Sequence, residues 1–122
     1  MTILVVEDNS VNRKLVRDIL TRAGYQVLEA VNADEGIALA KQEHPDLIVM
    51  DMQLPGMDGL TATGILKAEP GTSGIPVVAL TAHAMAGDEQ HFLRGGCDAY
   101  LPKPVRYREL LALLDRLLAE EI

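Results

Sequence analysis

The sequence predicts an α/β protein, a doubly wound parallel sheet with helices on both faces. Three observations lead there. Short apolar runs recur five times, at residues 3–6, 27–28, 47–50, 77–80 and 99–101. The first, third and fourth are continuous rather than alternating, the pattern of strands covered on both sides. Helix-length segments with helix punctuation lie between them, so the order is β-α repeated five times, with right-handed crossovers.

The elements follow in order. ILVV is the first strand, and Ser10 or Asn9 caps a helix over about 11–23 that Gly24 stops. After the second strand, Asn32 caps a helix ending before Pro45. LIVM is the third strand; Asp58 or Thr61 opens a third helix, closed by EPGTSG. VVAL is the fourth, followed by a helix from about Ala84 to Arg94 that stops at Gly95 and Gly96. AYL is the fifth. The last helix begins after Pro104 and carries Leu110, Leu111, Leu113, Leu114, Leu117 and Leu118, an arc wider than one sheet face needs. No linker, repeat or low-complexity stretch interrupts residues 1–122, which are expected to form one domain.

Composition narrows the function. The 122 residues suit one core, and 48% apolar residues suffice to fill it. Only Tyr25, Phe92, Tyr100 and Tyr107 are aromatic, so aliphatic side chains do the filling. A formal charge of -7 argues against direct nucleic-acid binding, because no net positive field offsets phosphate repulsion. No apolar run approaches the roughly 18 residues of a membrane span, and no signal-peptide layout follows Met1. The lone Cys97 excludes an internal disulfide and fits a reducing cytoplasm. It reads as a small buried or half-buried residue before it reads as a reactive thiol.

In open α/β sheets, ligands bind beyond the carboxyl ends of the strands. Glu7 and Asp8 follow the first strand, Asp51 the third, Thr81 the fourth and Lys103 the fifth; Ala30, Val31 and Asn32 after the second offer little chemistry. Any one of these alone is an ordinary loop residue in water. If strands one, three, four and five neighbour one another, these groups converge on one shallow site. Asp51 ends an apolar run, where an unpaired carboxylate is costly to bury, so it needs a partner, a metal or a role. Crowded carboxylates repel, which calls for an oxygen-loving divalent ion such as Mg²⁺. Lys103 can neutralise one phosphoryl oxygen and Thr81 can donate to another. An aspartate in that company suits nucleophilic attack at phosphorus, giving an aspartyl phosphate by alignment and charge neutralisation.

The stretches ILVVEDN, DLIVMDMQLPGMDG, IPVVALTAHA and GGCDAYLPKPV resemble, in order and spacing, the signatures of bacterial response-regulator receiver domains. The resemblance covers essentially the whole chain. TAHAMAGDEQHFLRGGCDAYLPKPV is similar to stand-alone receivers and to receivers of hybrid histidine kinases. It implies a flavodoxin-like (βα)5 fold with five parallel strands in order 2-1-3-4-5, and a phosphoacceptor switch of a two-component or phosphorelay system. Asp51 is then the phosphoacceptor, taking a phosphoryl group from a phosphohistidine on a sensor histidine kinase or histidine phosphotransfer protein. Asp8 ligates Mg²⁺ (or Mn²⁺) directly and Glu7 through water, with Asp51 and the backbone carbonyl of Gln53 completing the protein ligands. Many relatives have aspartate at the Glu7 position, and both acids are common. Thr81 and Lys103 hold phosphoryl oxygens, and Pro104 follows Lys103 through a cis peptide bond.

The resemblance also puts Tyr100 at the switch aromatic position, its ring turning inward when Thr81 moves toward the phosphoryl group; the plain alternative is a packed strand residue. Gln53 and His83 occupy two variable positions that set the phosphoryl lifetime, His83 reading equally as an exposed loop histidine. Activity is limited to self-catalysed phosphotransfer and autodephosphorylation. Output passes to a protein target on the face of the fourth helix, fifth strand and fifth helix. A monomer is expected, with a dimer through that face as the alternative.

Val11 and Leu15 fall at the edge of the first helix's apolar arc, near the site. They read as peripheral core or, with Pro104, as a docking patch for the phosphodonor. His44 and His91 read as exposed helix residues, and Met50, Met52, Met57 and Met85 as packing or loop fill. One cysteine and no paired His or Cys spacing disfavour zinc. EDNSVN stands where a glycine-rich phosphate loop would be, which disfavours nucleotides and FMN. A Mg²⁺-dependent phosphatase with an aspartate nucleophile usually has a second aspartate where Gln53 stands, and a cap for which there is no room. A phosphate-independent scaffold does not need the intact acidic site. The start at Met1 points to a stand-alone protein, with a receiver cut from a hybrid kinase as the alternative.

Overall fold

The continuous apolar runs become strands buried on both sides. The computed structural model describes residues 1–82 and 88–119. Strands β1 (Thr2–Val6), β2 (Gln26–Ala30), β3 (Leu47–Asp51), β4 (Val77–Thr81) and β5 (Ala99–Pro102) are all parallel and form one sheet, in the expected order β2-β1-β3-β4-β5. Every residue of β3 and β4 is buried.

The helices are α1 (Ser10–Arg22), α2 (Ala33–Glu43), α3 (Gly59–Ala68), α4 (Asp88–Arg94) and α5 (Tyr107–Ala119). Asn9, not Ser10, caps α1: its side chain accepts from the amides of Val11 and Asn12, both at 3.0 Å. Asn32 accepts from the Glu35 amide at 2.8 Å, and Asp58, not Thr61, caps α3 by accepting from the Thr61 amide at 2.7 Å. His44 departs from the expected helix position. It is the C-cap of α2, left-handed at φ 48°, a conformation uncommon outside glycine. The expected start of the fourth helix at Ala84, with His83 and Met85, lies outside the described residues.

The pleat sorts the strand side chains into two cores. Leu4, Val6, Ile48, Met50, Val77 and Ala79 pack with residues of α2, α3 and α4. Ile3, Val5, Leu47, Val49, Val78 and Leu80 pack with residues of α1 and α5. Of the α5 leucines, Leu110, Leu114, Leu117 and Leu118 are buried, and Leu111 and Leu113 are half-buried against the same cluster. The wide leucine arc is thus largely taken up by the core. Among the described residues, no helix is long and apolar enough to cross a membrane.

Candidate functional site

The chain runs from β1 outward to β2 and then returns to β3 on the other side of β1. Loops diverge at that switch point, leaving a crevice at the carboxyl ends of the strands. Each functional side chain is carried there by the strand ladder. The Glu7 amide still donates to the Ala30 carbonyl at 3.0 Å, one step beyond β1, and the Lys103 amide donates to the Thr81 carbonyl at 2.8 Å, one step beyond β5. Asp51 and Thr81 are the last residues of β3 and β4.

The result is a tight charge cluster. Glu7 and Thr81 are fully buried and Asp51 is 1% exposed, whereas Asp8 lies open to solvent. Carboxylate oxygens of Glu7, Asp8 and Asp51 lie within 4.8 Å of one another. Lys103 Nζ pairs with Glu7 Oε1 and with Asp51 Oδ1, each at 3.0 Å. Asp51 Oδ1 also accepts from the Gln53 amide at 3.0 Å. Glu7 Oε2 is buried, and no protein donor among the described residues reaches it. One ammonium therefore serves two buried carboxylates, and a third acid stands beside them.

That imbalance appears in the acidities. Glu7 is pushed up to about 7, chiefly by burial and then by the neighbouring Asp51, with Lys103 opposing. Burial would raise Asp51 too, but hydrogen bonds with Glu7, the Gln53 amide and Lys103 hold it below the usual carboxylate range. Burial works against the Lys103 charge, yet its two carboxylate partners raise it above the ordinary lysine value. Without a metal, the shared proton belongs on Glu7.

A pH dependence follows for protein stripped of divalent ions by a chelator. Unfolded, Glu7 loses its proton near 4.5; folded, it keeps it to about 7. Between those values the folded state binds more protons, so stability falls as pH rises. Asp51, shifted downward from 3.8, does not titrate in that window. Stability should drop on the order of 2 kcal/mol between about pH 5 and pH 7.5, or roughly 8 °C in Tm. Glu7→Gln should flatten that part of the profile; thermal melts in which the variant follows the wild-type slope would contradict it.

Of the other expected site residues, Gln53 proves more engaged than its sequence position suggests. Its side-chain Nε2 donates to Thr81 Oγ1 at 3.1 Å, and its Oε1 accepts from the Ala82 amide at 3.0 Å. The loop after β3 is thereby tied to the end of β4. Tyr100 is half-buried and stacks on Phe92 of α4, with ring centroids 6.1 Å apart. The Lys103–Pro104 peptide is cis, and Pro104 is exposed. Val11 is 74% exposed and Leu15 42%, so neither is peripheral core. Cys97 is buried, with its sulfur 3.9 Å from Thr63 Oγ1. His83 lies outside the described residues.

The sequence reading missed two residues that support the site. A Cβ on Gly59 would run into the carbonyl oxygen of Asp51, so the first residue of α3 fits against the end of β3 only without a side chain. A glycine directly after a capping aspartate was the available signal. Arg13 of α1 donates to the carbonyl oxygen of Glu7 at 3.0 Å. Nothing in its spacing announced that contact.

The chain is similar to known proteins in sequence and in fold. The family described as the response regulator receiver domain matches residues 3–115. The polar-differentiation response regulator DivK of Brucella ovis is 45% identical over 104 residues, covering 85% of each chain. The receiver domain of a sensor histidine kinase from Pseudomonas aeruginosa, solved with a magnesium ion coordinated in its active-site cleft, superposes with a TM-score of 0.89 at 36% identity, covering 97% of each chain. A CheY-like response regulator receiver domain protein from Methanospirillum hungatei superposes at 0.88 with 31% identity, covering 98% of this chain and 94% of that one. With its fold, its acidic strand-end cluster and these relatives, the chain belongs to the response-regulator receiver family of two-component signalling.

Proposed function

We propose that Asp51 is the phosphoacceptor of a signalling switch, supplied by a phosphohistidine on a sensor kinase or phosphotransfer protein. The observation that carries this is the pairing of a buried strand-end carboxylate with an ammonium it shares with Glu7, beside the exposed Asp8. An Asp51 carboxylate oxygen forms a bond to phosphorus as the donor's nitrogen–phosphorus bond breaks, and the electron pair leaves with the imidazole nitrogen. Lys103 turns from the carboxylates to a phosphoryl oxygen. Thr81 gives up its bond from Gln53 and donates to another, and Tyr100 follows on the adjacent strand. The altered face of α4, β5 and α5 then meets a protein target. Hydrolysis of the aspartyl phosphate resets the switch, at a rate tuned by Gln53 and His83.

The donor set suits a small divalent cation. Three carboxylates crowd together, and once Glu7 is ionised its buried Oε2, which no donor among the described residues reaches, calls for a positive partner. Mg²⁺ (or Mn²⁺) would be held by Asp8, Asp51 and the Gln53 carbonyl, with Glu7 acting through water; bound there, it supplies neutralisation of charge at the phosphoryl group. Val11, Leu15 and Pro104 form the docking patch for the phosphodonor. Support comes from their exposure and from an open groove of about 510 Å³ between α1 and α5, lined by Leu15, Ile19, Tyr107 and Leu111 among others.

The test is incubation with acetyl phosphate and Mg²⁺, followed by intact-mass measurement. Wild type should gain one labile phosphoryl group, and Asp51→Asn none. Val11→Ala with Leu15→Ala should keep uptake from acetyl phosphate but slow transfer from a phosphohistidine protein. Label on Asp51→Asn, or none on wild type, would overturn the assignment.

A further inference from the structure

Arg13 joins three elements at the mouth of the site. From α1, its Nη1 donates to the Glu7 carbonyl at 3.0 Å, and its Nε pairs with Glu29 Oε1 of β2 at 3.3 Å. Arg17 holds the other oxygen of Glu29, Nη1 to Oε2 at 3.5 Å. Glu29 is the register partner of Val5, and its neighbour Ala30 accepts from the Glu7 amide at 3.0 Å.

The carbonyl that Arg13 grips belongs to the peptide joining Glu7 to Asp8, two of the three acids in the cluster. The ladder bond to Ala30 holds the near side of Glu7, and the guanidinium holds the far side. The peptide plane is therefore fixed, and both side chains leave it in set directions. Glu7 has its own packing, being fully buried, but Asp8 is exposed and depends on its backbone for placement. The Arg13 charge is answered by Glu29, so it steadies the loop without acting as a rival cation in the cluster.

We propose that Arg13 is a positioning residue for the divalent-cation site, acting through the Glu7–Asp8 peptide; the proposal rests on the reading of Glu7, Asp8 and Asp51 as that site. A guanidinium can reach a carbonyl and a carboxylate at once, whereas a lysine ammonium offers no such fork. Groups that orient ligands without touching the metal commonly set its affinity by 10- to 100-fold, roughly.

The experiment is calorimetric titration of Mg²⁺ into protein with no phosphodonor present. Arg13→Ala should weaken Mg²⁺ binding roughly tenfold, and Arg13→Lys should recover only part of the loss. Arg17→Ala, which removes the other Glu29 ion pair but not the carbonyl contact, should stay within about twofold of wild type. Equal or tighter binding by Arg13→Ala, or an equal loss in Arg17→Ala, overturns the proposal. Should Arg13→Ala fail to fold, Arg13→Lys and Glu29→Gln decide, and unchanged affinity in both overturns it. Absence of Mg²⁺ binding by wild type would instead remove the metal site itself.

Discussion

Lys103→Met is expected to slow phosphoryl uptake by Asp51 from acetyl phosphate by roughly 10²- to 10³-fold at saturating Mg²⁺. The methionine keeps most of the stem volume and removes the charge. Among the described residues, that charge is the one ammonium on Glu7 and Asp51, at 3.0 Å from each, and its side chain is only 17% exposed. In phosphoryl transfer, negative charge spreads over the equatorial oxygens, and a fixed ammonium in a dry site stabilises it without reorganisation. Removal of one member of a buried ion pair normally costs about 3–5 kcal/mol, because the other charge is left uncompensated. Here Glu7 can keep its proton, which relieves part of that cost and moves it further above its raised value of about 7. The chelated variant should therefore lose stability with rising pH to a higher pH than wild type does. Mass-resolved time courses give the rate and melts give the stability. Uptake within about threefold of wild type would show that Lys103 is not the group that meets the phosphoryl oxygens.

The strands that carry the site were the easiest to read, for a physical reason. β3 and β4 lie inside the sheet and are buried on both faces, so apolar residues run along them unbroken, and a carboxylate or hydroxyl at their ends stands out. The edge strands were read too short. β2 runs from Gln26 to Ala30 because an edge strand tolerates Gln26 and Glu29, which blur the pattern. Choices between nearby capping residues stay open in the sequence because asparagine, serine, aspartate and threonine all cap well; only the placed side chains of Asn9 and Asp58 decide them. Strand-end logic found Glu7, Asp8, Asp51, Thr81 and Lys103, all in the same crevice. It could not find the Gln53 side chain spanning to Thr81, since a residue two positions into a loop has no set direction. Arg13 escaped for a related reason: its partner is a backbone carbonyl, and a carbonyl leaves no mark in a sequence.

Gly59→Ala and Gly64→Ala, in the same helix, are expected to shift stability in opposite directions. Gly64 is exposed within α3 and has nothing within 4 Å of where a Cβ would sit. Alanine there should stabilise by roughly 0.5–1 kcal/mol, through helix propensity and a less flexible unfolded chain. Gly59 is buried, and its Cβ would strike the carbonyl oxygen of Asp51, with the Met52 side chain also in the way. Methionine can rotate aside, but the strand backbone cannot. To accept a methyl, α3 must lift from β3, against the bond from the Gly59 amide to the Met52 carbonyl at 3.4 Å and the apolar contacts of Ala62 and Leu66. Overpacking against backbone belongs at the top of the usual range, so the loss should be about 3 kcal/mol, or roughly 12 °C in Tm. Whatever part of the clash the lifting of α3 does not relieve bears on the peptide of Asp51, so Gly59→Ala that still folds at low temperature should also take up phosphate more slowly than wild type, while Gly64→Ala should not. Paired melts and acetyl phosphate time courses measure both effects. A Gly59→Ala protein as stable as wild type would mean that α3 is free to move away from the strand that holds Asp51.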